Sequence, residues 1–196
     1  MSTTTSICEG DILDPIETER LILRLPKDDD AADINAAICE TFDDLHRTME
    51  WAQEKPSIET TAKIIEFVRD NTPSKKDYAY YTFLKCNGAF VAGTHLFATD
   101  LAVPKFEIGY WCRKCYQGQG YVTEATRALV KFAFETLHVN RLQINCDILN
   151  EPSMRVAQRC GFRLEATLEN DKLTPDGRLR TTAVHVMLPR DYTVQA

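Results

Sequence analysis

Apolar residues recur with two different periods along the chain, and these periods predict where helices and strands lie. Spacings of three and four residues in 31–51, in 58–70 and after Gly120 predict three helices. Ser57 directly precedes the second helix and is expected to cap its first turn. A fourth, shorter helix is expected to end at Gly161, because glycine readily adopts the left-handed conformation of a helix C-cap.

Segments rich in β-branched and aromatic residues predict seven strands. They are 21–25, 78–86, 89–98, 105–112, 141–148, 162–169 and 181–188. Asn87-Gly88 lies between the second and third strands and is a strong hairpin signal. Pro175-Asp176-Gly177 marks a turn before the last strand. Together these elements predict an α+β fold with a mixed sheet and helices packed on it.

A glycine-rich turn lies between the strand 105–112 and the third helix. Its sequence is Gln117-Gly118-Gln119-Gly120-Tyr121-Val122-Thr123. Glycines let the backbone approach a ligand closely, and the first N–H groups of a helix have no partner within the helix. The positive end of the helix dipole adds to the attraction for an anion. The turn is a candidate phosphate site, although a tight turn without a ligand has the same glycine pattern.

Two other nucleotide-binding motifs fit this turn poorly. A P-loop requires Lys-Ser or Lys-Thr after its last glycine, and Tyr121-Val122 stands there instead. A dinucleotide-binding fingerprint requires a third glycine where Thr123 stands, and it belongs to the first unit of a doubly wound sheet.

In this context the turn resembles the pyrophosphate loop of the GNAT superfamily of acetyl-CoA-dependent N-acetyltransferases, which reads Gln/Arg-x-x-Gly-x-Gly/Ala. Gln117 and Gly120 match that pattern, and Val122 stands where the family prefers Gly or Ala. Three further segments are similar to the RimJ/RimL-like branch, which acetylates the N-termini of ribosomal proteins. They are 17–24, 107–111 and 150–162.

The resemblance implies one GNAT domain over about 15–190, with 1–14 as a flexible N-terminus and 191–196 as a C-terminal tail. It also implies a mostly antiparallel sheet of about seven strands with helices on both faces. The fourth and fifth predicted strands are expected to splay apart in a V and admit the pantetheine arm of acetyl-CoA. The residues that it assigns to the cofactor are Tyr110, Trp111, Cys112, the seven loop residues 117–123 and Asn150.

By the same resemblance, the reaction is direct transfer of an acetyl group to an amine. The favoured acceptor is a protein or peptide N-terminus of the ribosomal-protein type. Acetylation of a small amine, such as a polyamine or an antibiotic, stays open as an alternative. So does a noncatalytic acyl-CoA-binding module.

Acetyl transfer requires a base, because an ammonium group cannot attack a thioester until it loses a proton. Glu107 on the fourth strand is the candidate base, acting directly or through water, although a structural carboxylate is an equal alternative. Many family members protonate the leaving thiolate with a tyrosine, and Ala157 stands at the corresponding position. Ser153 resembles the serine that serves this role in the ribosomal branch, although Asn150 and Ser153 are also ordinary capping residues.

Composition agrees with a single soluble domain. The chain has 196 residues, 44% of them hydrophobic, and no apolar run approaches the roughly 20 residues that cross a bilayer. Acidic residues exceed basic ones by 29 to 23, so nucleic-acid binding is not expected. A cytoplasmic location without membrane attachment is expected, and homodimerisation is left open.

Seven cysteines are scattered along the chain without the regular framework of a small secreted domain, so most are expected to be free thiols. Cys112 and Cys115 form a lone CxxC whose adjacent cations, Arg113 and Lys114, are expected to lower a thiol pKa. Because no second CxxC or Cys/His cluster is nearby, no metal site is expected. A redox role of the pair is left open.

Overall fold

The computed structural model describes residues 14–72 and 76–192. Its strands are β1 (Ile16–Glu17), β2 (Leu21–Arg24), β3 (Asp77–Leu84), β4 (Phe90–Asp100), β5 (Lys105–Cys112), β6 (Arg141–Asp147), β7 (Arg163–Leu173) and β8 (Leu179–Met187). Its α-helices are α1 (Ala31–Thr48), α2 (Ile58–Asn71), α3 (Tyr121–Glu135) and α4 (Glu151–Arg159). None of the helices in the described part combines the length and the apolar surface that crossing a bilayer demands.

The strands form one sheet in the order β1-β2-β3-β4-β5-β6-β8-β7. Only β5 and β6 pair in parallel, and α3 lies on the connection between them. All other neighbours pair antiparallel. The prediction of a mixed, mostly antiparallel sheet is therefore confirmed. The eighth strand, β1, has only two residues, which is too short for a periodic pattern to reveal.

The ladder between β5 and β6 is short. It joins Lys105 to Arg141, Phe106 to Leu142 and Glu107 to Gln143, and it ends there. From Ile108 onward, β5 continues to pair with β4 up to Cys112, while β6 pairs with β8. These two strands are the fourth and fifth predicted ones, so the predicted splay lies where it was expected. A cleft opens between them.

Helices cover both faces of the sheet. On one face, α3 and α4 enclose the larger core, where the rings of Tyr78 and Phe132 meet edge-on at 5.7 Å. On the other face, α1 and α2 enclose a smaller core, where Phe90 contacts Phe83 and Trp111 at centroid distances of 5.6 and 5.4 Å. Because side chains alternate along a strand, successive residues of β5 face different helix pairs.

Both predicted caps are confirmed. The Ser57 hydroxyl accepts a hydrogen bond from the Thr60 N–H at 3.2 Å and caps α2. At the end of α4, Gly161 has φ of +87° and its N–H donates to the Gln158 carbonyl, while the Phe162 N–H donates to the Ala157 carbonyl. This pair of bonds is a Schellman motif, which uses carbonyls that the helix leaves without partners.

Two predicted boundaries were wrong by more than two residues. Helix α1 ends at Thr48 rather than at 51, because Met49 is already extended, with φ of −115° and ψ of 117°. Strand β7 continues to Leu173, beyond the predicted end at 169, because its pairing with β8 resumes after an irregularity. Asn170 lies in that irregularity with φ of +52°, a conformation that asparagine tolerates better than most residues.

The predicted flexible ends fall almost wholly outside the described residues. At the C-terminal boundary, the Tyr192 ring stacks on Phe134 at 4.9 Å, and its hydroxyl donates to Glu135 at 2.7 Å. These contacts attach the end of the described chain to the last turn of α3.

Gly161→Ala is expected to destabilise the protein by about 1–2 kcal/mol, the cost of placing an L side chain in the left-handed conformation. The added Cβ would lie 3.4 Å from the Met187 side chain, so the strain would come mainly from the backbone. Gly161→Asn is the matched control and should cost less, because asparagine tolerates this conformation. Urea unfolding measures both, and an alanine variant as stable as the parent would contradict the assignment.

Candidate active site

The glycine-rich turn presents unpaired backbone donors to solvent. Gly118 and Gly120 have φ of +74° and +81°, and Gly120 is the N-cap of α3. The first helical hydrogen bond runs from the Glu124 N–H to the Gly120 carbonyl at 3.0 Å. Within the described residues, no acceptor is found for the N–H groups of 118–123. Residues 117–120 are exposed, so these donors can reach an anion such as a diphosphate.

The residues that lead into β2 hold the turn from one side. The Arg20 N–H and Nε donate to the Glu124 carboxylate at 2.9 and 2.7 Å, and Arg20 Nη1 donates to the Gln119 carbonyl at 3.2 Å. The guanidinium also lies 4.4 Å from the centre of the Tyr121 ring. Burial opposes ionisation of Glu124, but hydrogen bonds from Thr18 and Arg20 outweigh it and lower the pKa of the carboxyl. Glu124 thus stays ionised and anchors the first turn of α3.

Helix α1 holds the other end of the turn. The Glu40 carboxylate accepts hydrogen bonds from Arg113 Nε and from the Cys115 N–H, both at 2.8 Å. The Thr41 hydroxyl accepts from the Lys114 N–H at 3.0 Å. The three residues that lead into the turn are therefore fixed to α1.

Three side chains of the turn are engaged with the protein itself. Gln117 and Gln119 donate back to the carbonyls of Cys112 and Cys115, at 3.4 and 2.9 Å. Val122, which departs from the GNAT pattern, is half-buried and packs against the larger core. The backbone therefore forms the surface that a ligand meets.

The thiol pKa values of Cys112 and Cys115 are raised, whereas the neighbouring cations predicted that they would be lowered. Burial raises the pKa of Cys112 to about 12, and burial together with Glu40 raises the pKa of Cys115. The predicted lowering by adjacent cations is wrong, because the Arg113 charge is already paired with Glu40. Both thiols are free, and no cluster that could hold a metal occurs among the described residues.

Glu107 lies at the point where β5 and β6 separate, on the face of α1 and α2. Its carboxylate accepts hydrogen bonds from Asn145 Nδ2 at 2.7 Å and from Gln143 Nε2 at 3.3 Å. Burial raises the pKa of Glu107 above its usual value, and the two hydrogen bonds offset part of that effect. A half-buried carboxylate of this kind can take up a proton nearer neutral pH than an exposed one.

Tyr110 and Ser153 meet on the opposite face of the sheet, beneath α4. The Tyr110 hydroxyl lies 3.1 Å from Ser153 Oγ and 3.2 Å from the Ser153 carbonyl. The Asn150 side chain accepts from the Ser153 N–H at 3.2 Å and caps α4. Asn150 therefore has the capping role that its sequence also allowed, and it places Ser153 in the first turn of the helix.

Ala157, at the position of the family's tyrosine, is fully buried in the larger core. A phenol nevertheless reaches this part of the cleft, because Tyr110 approaches Ser153 from the neighbouring strand. Burial raises the pKa of the Tyr110 hydroxyl, so it stays protonated and can donate a hydrogen bond.

Trp111 does not join this group. Its side chain lies on the face of α1 and α2, where it contacts Phe90 and lies 6.2 Å from the ring of Trp51. Gly93, its cross-strand partner, leaves no space for a Cβ against the indole ring. Among the predicted cofactor residues, Tyr110 and Cys112 therefore face α3 and α4, whereas Trp111 faces away from them.

Comparison with known proteins agrees with this geometry. Residues 20–163 match the family described as the acetyltransferase (GNAT) domain. The chain belongs to the GNAT acetyltransferase family. This GNAT protein is an acetyl-CoA-dependent N-acetyltransferase.

Its relatives include proteins named for ribosomal substrates. YdaF of Bacillus subtilis (strain 168), whose name assigns it provisionally to the ribosomal N-acetyltransferases, is 28% identical over 179 residues, which are 89% of this chain and 94% of YdaF. The ribosomal-protein-serine acetyltransferase of Escherichia coli (strain K12) is 27% identical over 139 residues, 71% of this chain and 76% of that protein. The structure of RimL, a ribosomal L7/L12 α-N-protein acetyltransferase in complex with coenzyme A, superimposes with a TM-score of 0.81 at 20% identity, covering 89% of this chain and 98% of RimL.

Sequence reasoning missed three side chains that shape the site of this GNAT enzyme. Arg20 was recognised only as part of the segment 17–24 that resembles the RimJ/RimL-like branch. Gln143 and Asn145 were recognised only as residues of the strand predicted over 141–148, in which polar and apolar residues alternate. That alternation was the available signal, because it predicts two polar side chains on the same face of β6. Their contact with Glu107 needed the register between β5 and β6.

Arg20→Gln is expected to weaken binding of coenzyme A about tenfold. Charge-assisted hydrogen bonds of this kind contribute about 1.5–3 kcal/mol, and here they stabilise the conformation of the turn that binds the cofactor. Glu124→Gln should have a similar effect, and the double variant should be little worse than either, because the two residues act as one unit. Isothermal titration calorimetry measures the affinity.

Lys85→Gln is the matched control. It removes a neighbouring ion pair with Glu17, of 2.9 Å, that does not touch the turn. Unchanged affinity in Arg20→Gln and Glu124→Gln would mean that the turn keeps its shape without this anchor.

Proposed function

We propose that this enzyme acetylates the α-amine of a protein or peptide N-terminus, with a ribosomal protein as the acceptor, in the cytoplasm. The observation that supports it most is a half-buried carboxylate, Glu107, at the apex of a cleft between two diverging strands. The names of the relatives point to the same class of acceptor.

The cofactor would be bound mainly by the backbone. The N–H groups of residues 118–123 would hold the diphosphate of acetyl-CoA, and the pantetheine arm would enter the cleft between β5 and β6. Beyond Glu107, the N–H groups of β5 that point toward β6 have no ladder partner. Those near Gly109, Tyr110 and Trp111 are suited to stabilise the oxyanion of the tetrahedral intermediate.

Glu107 would serve as the general base. An N-terminal amine has a pKa of about 8, against about 10.4 for lysine, so a weaker base is enough to remove its proton. Asn145 and Gln143 fix the carboxylate at its apex position. The amine would approach on the face of α1 and α2, where Glu107 lies, and attack the thioester through the gap between the strands.

Ser153 would protonate the departing thiolate, and Tyr110 would support it. The two hydroxyls are 3.1 Å apart, so Tyr110 would donate a hydrogen bond to Ser153 Oγ and stabilise it as Ser153 gives up its proton, which solvent would restore once coenzyme A has left. This pair would take the place of the tyrosine that Ala157 replaces.

The direct test is release of free coenzyme A thiol from acetyl-CoA in the presence of peptides with free N-termini, with the products identified by mass spectrometry. Acetylated peptide α-amines are the expected product. Acetylation of polyamines or antibiotics but not of peptides would shift the acceptor to small amines. Cofactor binding without turnover on any amine would mean that the protein is a binding module.

Glu107→Gln is expected to lower kcat/KM by about 100-fold or more, the usual contribution of a general base. In the parent, activity should fall as the pH drops through the raised pKa of Glu107, because the base must be ionised. The variant should lose that limb of the pH profile. Glu59→Gln, at the exposed start of α2, is the control and should leave both rate and profile unchanged.

Stability separates this loss from unfolding. Because the folded pKa of Glu107 is raised, its ionisation opposes folding above its unfolded pKa, and glutamine removes that cost. The variant should therefore be at least as stable as the parent at pH 7. An unchanged rate and profile would show that Glu107 is a structural carboxylate.

Ser153→Ala is expected to lower kcat by about tenfold to 100-fold with little change in the affinity for acetyl-CoA, because it removes the proton donor and not the cofactor loop. Tyr110→Phe should have a smaller effect in the same direction, and the double variant should resemble Ser153→Ala. Steady-state kinetics with one peptide measures all three. Affinity that falls as much as kcat would indicate that Ser153 only binds the cofactor.

A further inference from the structure

Three buried polar atoms lack partners on one patch of the sheet. They are Asn145 Oδ1, Arg180 Nε and Thr182 Oγ1, and no hydrogen-bond partner is found for them among the described residues. A buried polar group without a partner costs about 1–3 kcal/mol, and native proteins keep few of them. Three of them on neighbouring strands mark a polar patch whose hydrogen-bonding capacity is not used by the described part of the chain.

The strand register places these atoms on the face of Glu107. Asn145 on β6 is paired with Val184 on β8, and side chains at 180, 182 and 184 share one face of that strand. Asn145 also donates to Glu107, so both lie on that face. The patch is therefore on the acceptor side of the sheet, opposite the face that carries Tyr110 and α4.

Arg180 is a cation without a carboxylate of its own in the described part of the chain. Asp147 is paired with Arg178, and Lys172, across the strand pair from Arg180, lies 3.7 Å from Glu50. The Arg180 charge nevertheless favours the ionised form of both Glu107 and Asp147, although burial keeps the pKa of Glu107 raised. It is thus near two carboxylates, yet it forms no ion pair with either.

We infer that Arg180 binds a carboxylate carried by the acceptor close to its amine. Resting on the proposed function, this defines the acceptor as a peptide with an acidic residue near its N-terminus. A guanidinium binds a carboxylate through paired, charge-assisted hydrogen bonds, and burial strengthens them. Basic residues at the same positions of the peptide are disfavoured, because they meet the charges of Arg180 and Lys172.

Asn145 completes the recognition. Its Nδ2 is engaged by Glu107, so its Oδ1 is directed elsewhere and can accept an N–H from the acceptor. The amine beside Glu107 and the carboxylate at Arg180 are then held by two separate groups. The phosphates of the cofactor do not compete for Arg180, because the turn at 118–123 precedes α3, which covers the opposite face.

The test is a peptide series that begins with serine and carries Glu, Gln or Lys in turn at positions two, three and four. At one position, kcat/KM for the Glu peptide should exceed that for the Gln peptide about tenfold and that for the Lys peptide by more. Arg180→Gln should bring the Glu and Gln peptides within about twofold, and Arg180→Lys should keep part of the preference. The KM for acetyl-CoA should stay unchanged in both variants.

Arg69→Gln is the matched control, because it removes an exposed arginine on α2 that pairs with Asp28. It should keep the full preference. Equal rates for Glu and Gln peptides in the parent, or a preference that survives Arg180→Gln, would overturn the inference while leaving the proposed function intact. An enzyme that binds acetyl-CoA but acetylates neither peptides nor free glutamate would overturn both the inference and the proposed function. Acetylation of free glutamate but of no peptide would overturn the proposed function and the peptide acceptor, and would leave only the contact between Arg180 and a carboxylate.

Discussion

The early end of the β5–β6 ladder is the constraint on which the site depends. If the two parallel strands stayed paired, their backbone N–H and C=O groups would hydrogen-bond to each other and leave no room for a ligand between the strands. Here the pairing stops at Glu107 and Gln143. Beyond that point β5 is hydrogen-bonded only to β4, and β6 only to β8. The gap joins the two faces of the sheet, so Glu107 on one face and Tyr110 with Ser153 on the other border the same opening.

The cleft works only if its entrance keeps its shape, and two distant parts of the chain provide this. Arg20, directly before β2, fixes the first turn of α3 through Glu124, while Glu40 in α1 fixes the residues that precede the turn. Backbone donors held in this way lose little freedom when an anion arrives, which favours binding. The turn therefore supplies the N–H groups, and the surrounding residues hold the turn in one conformation.

Local signals in the sequence were enough for most of the fold and for the turn. Apolar spacings of three and four residues predicted the helices, and segments rich in β-branched and aromatic residues predicted the strands. The two glycines predicted a tight turn, and both have positive φ in the structure. Contacts between distant residues were not predictable in this way. Thr18 reaches Glu124 across 106 positions, and Tyr110 reaches Ser153 across 43. The prediction of a lowered thiol pKa at Cys112 was wrong for the same reason. The burial of Cys112 and the pairing of Arg113 with Glu40 depend on contacts with α1 and the sheet.

The balance of charge around Glu107 explains why an unpaired arginine suits this site. Burial raises the pKa of the carboxyl, while Lys172 and Arg180 lower it, so its affinity for a proton depends on what binds nearby. An acceptor that brought only an ammonium group would add an uncompensated positive charge to a half-buried site already containing Arg180. An acceptor that brings a carboxylate to Arg180 as well adds no net charge. Its carboxylate also cancels part of the effect of Arg180 on Glu107, which makes Glu107 a stronger base when the amine is in place.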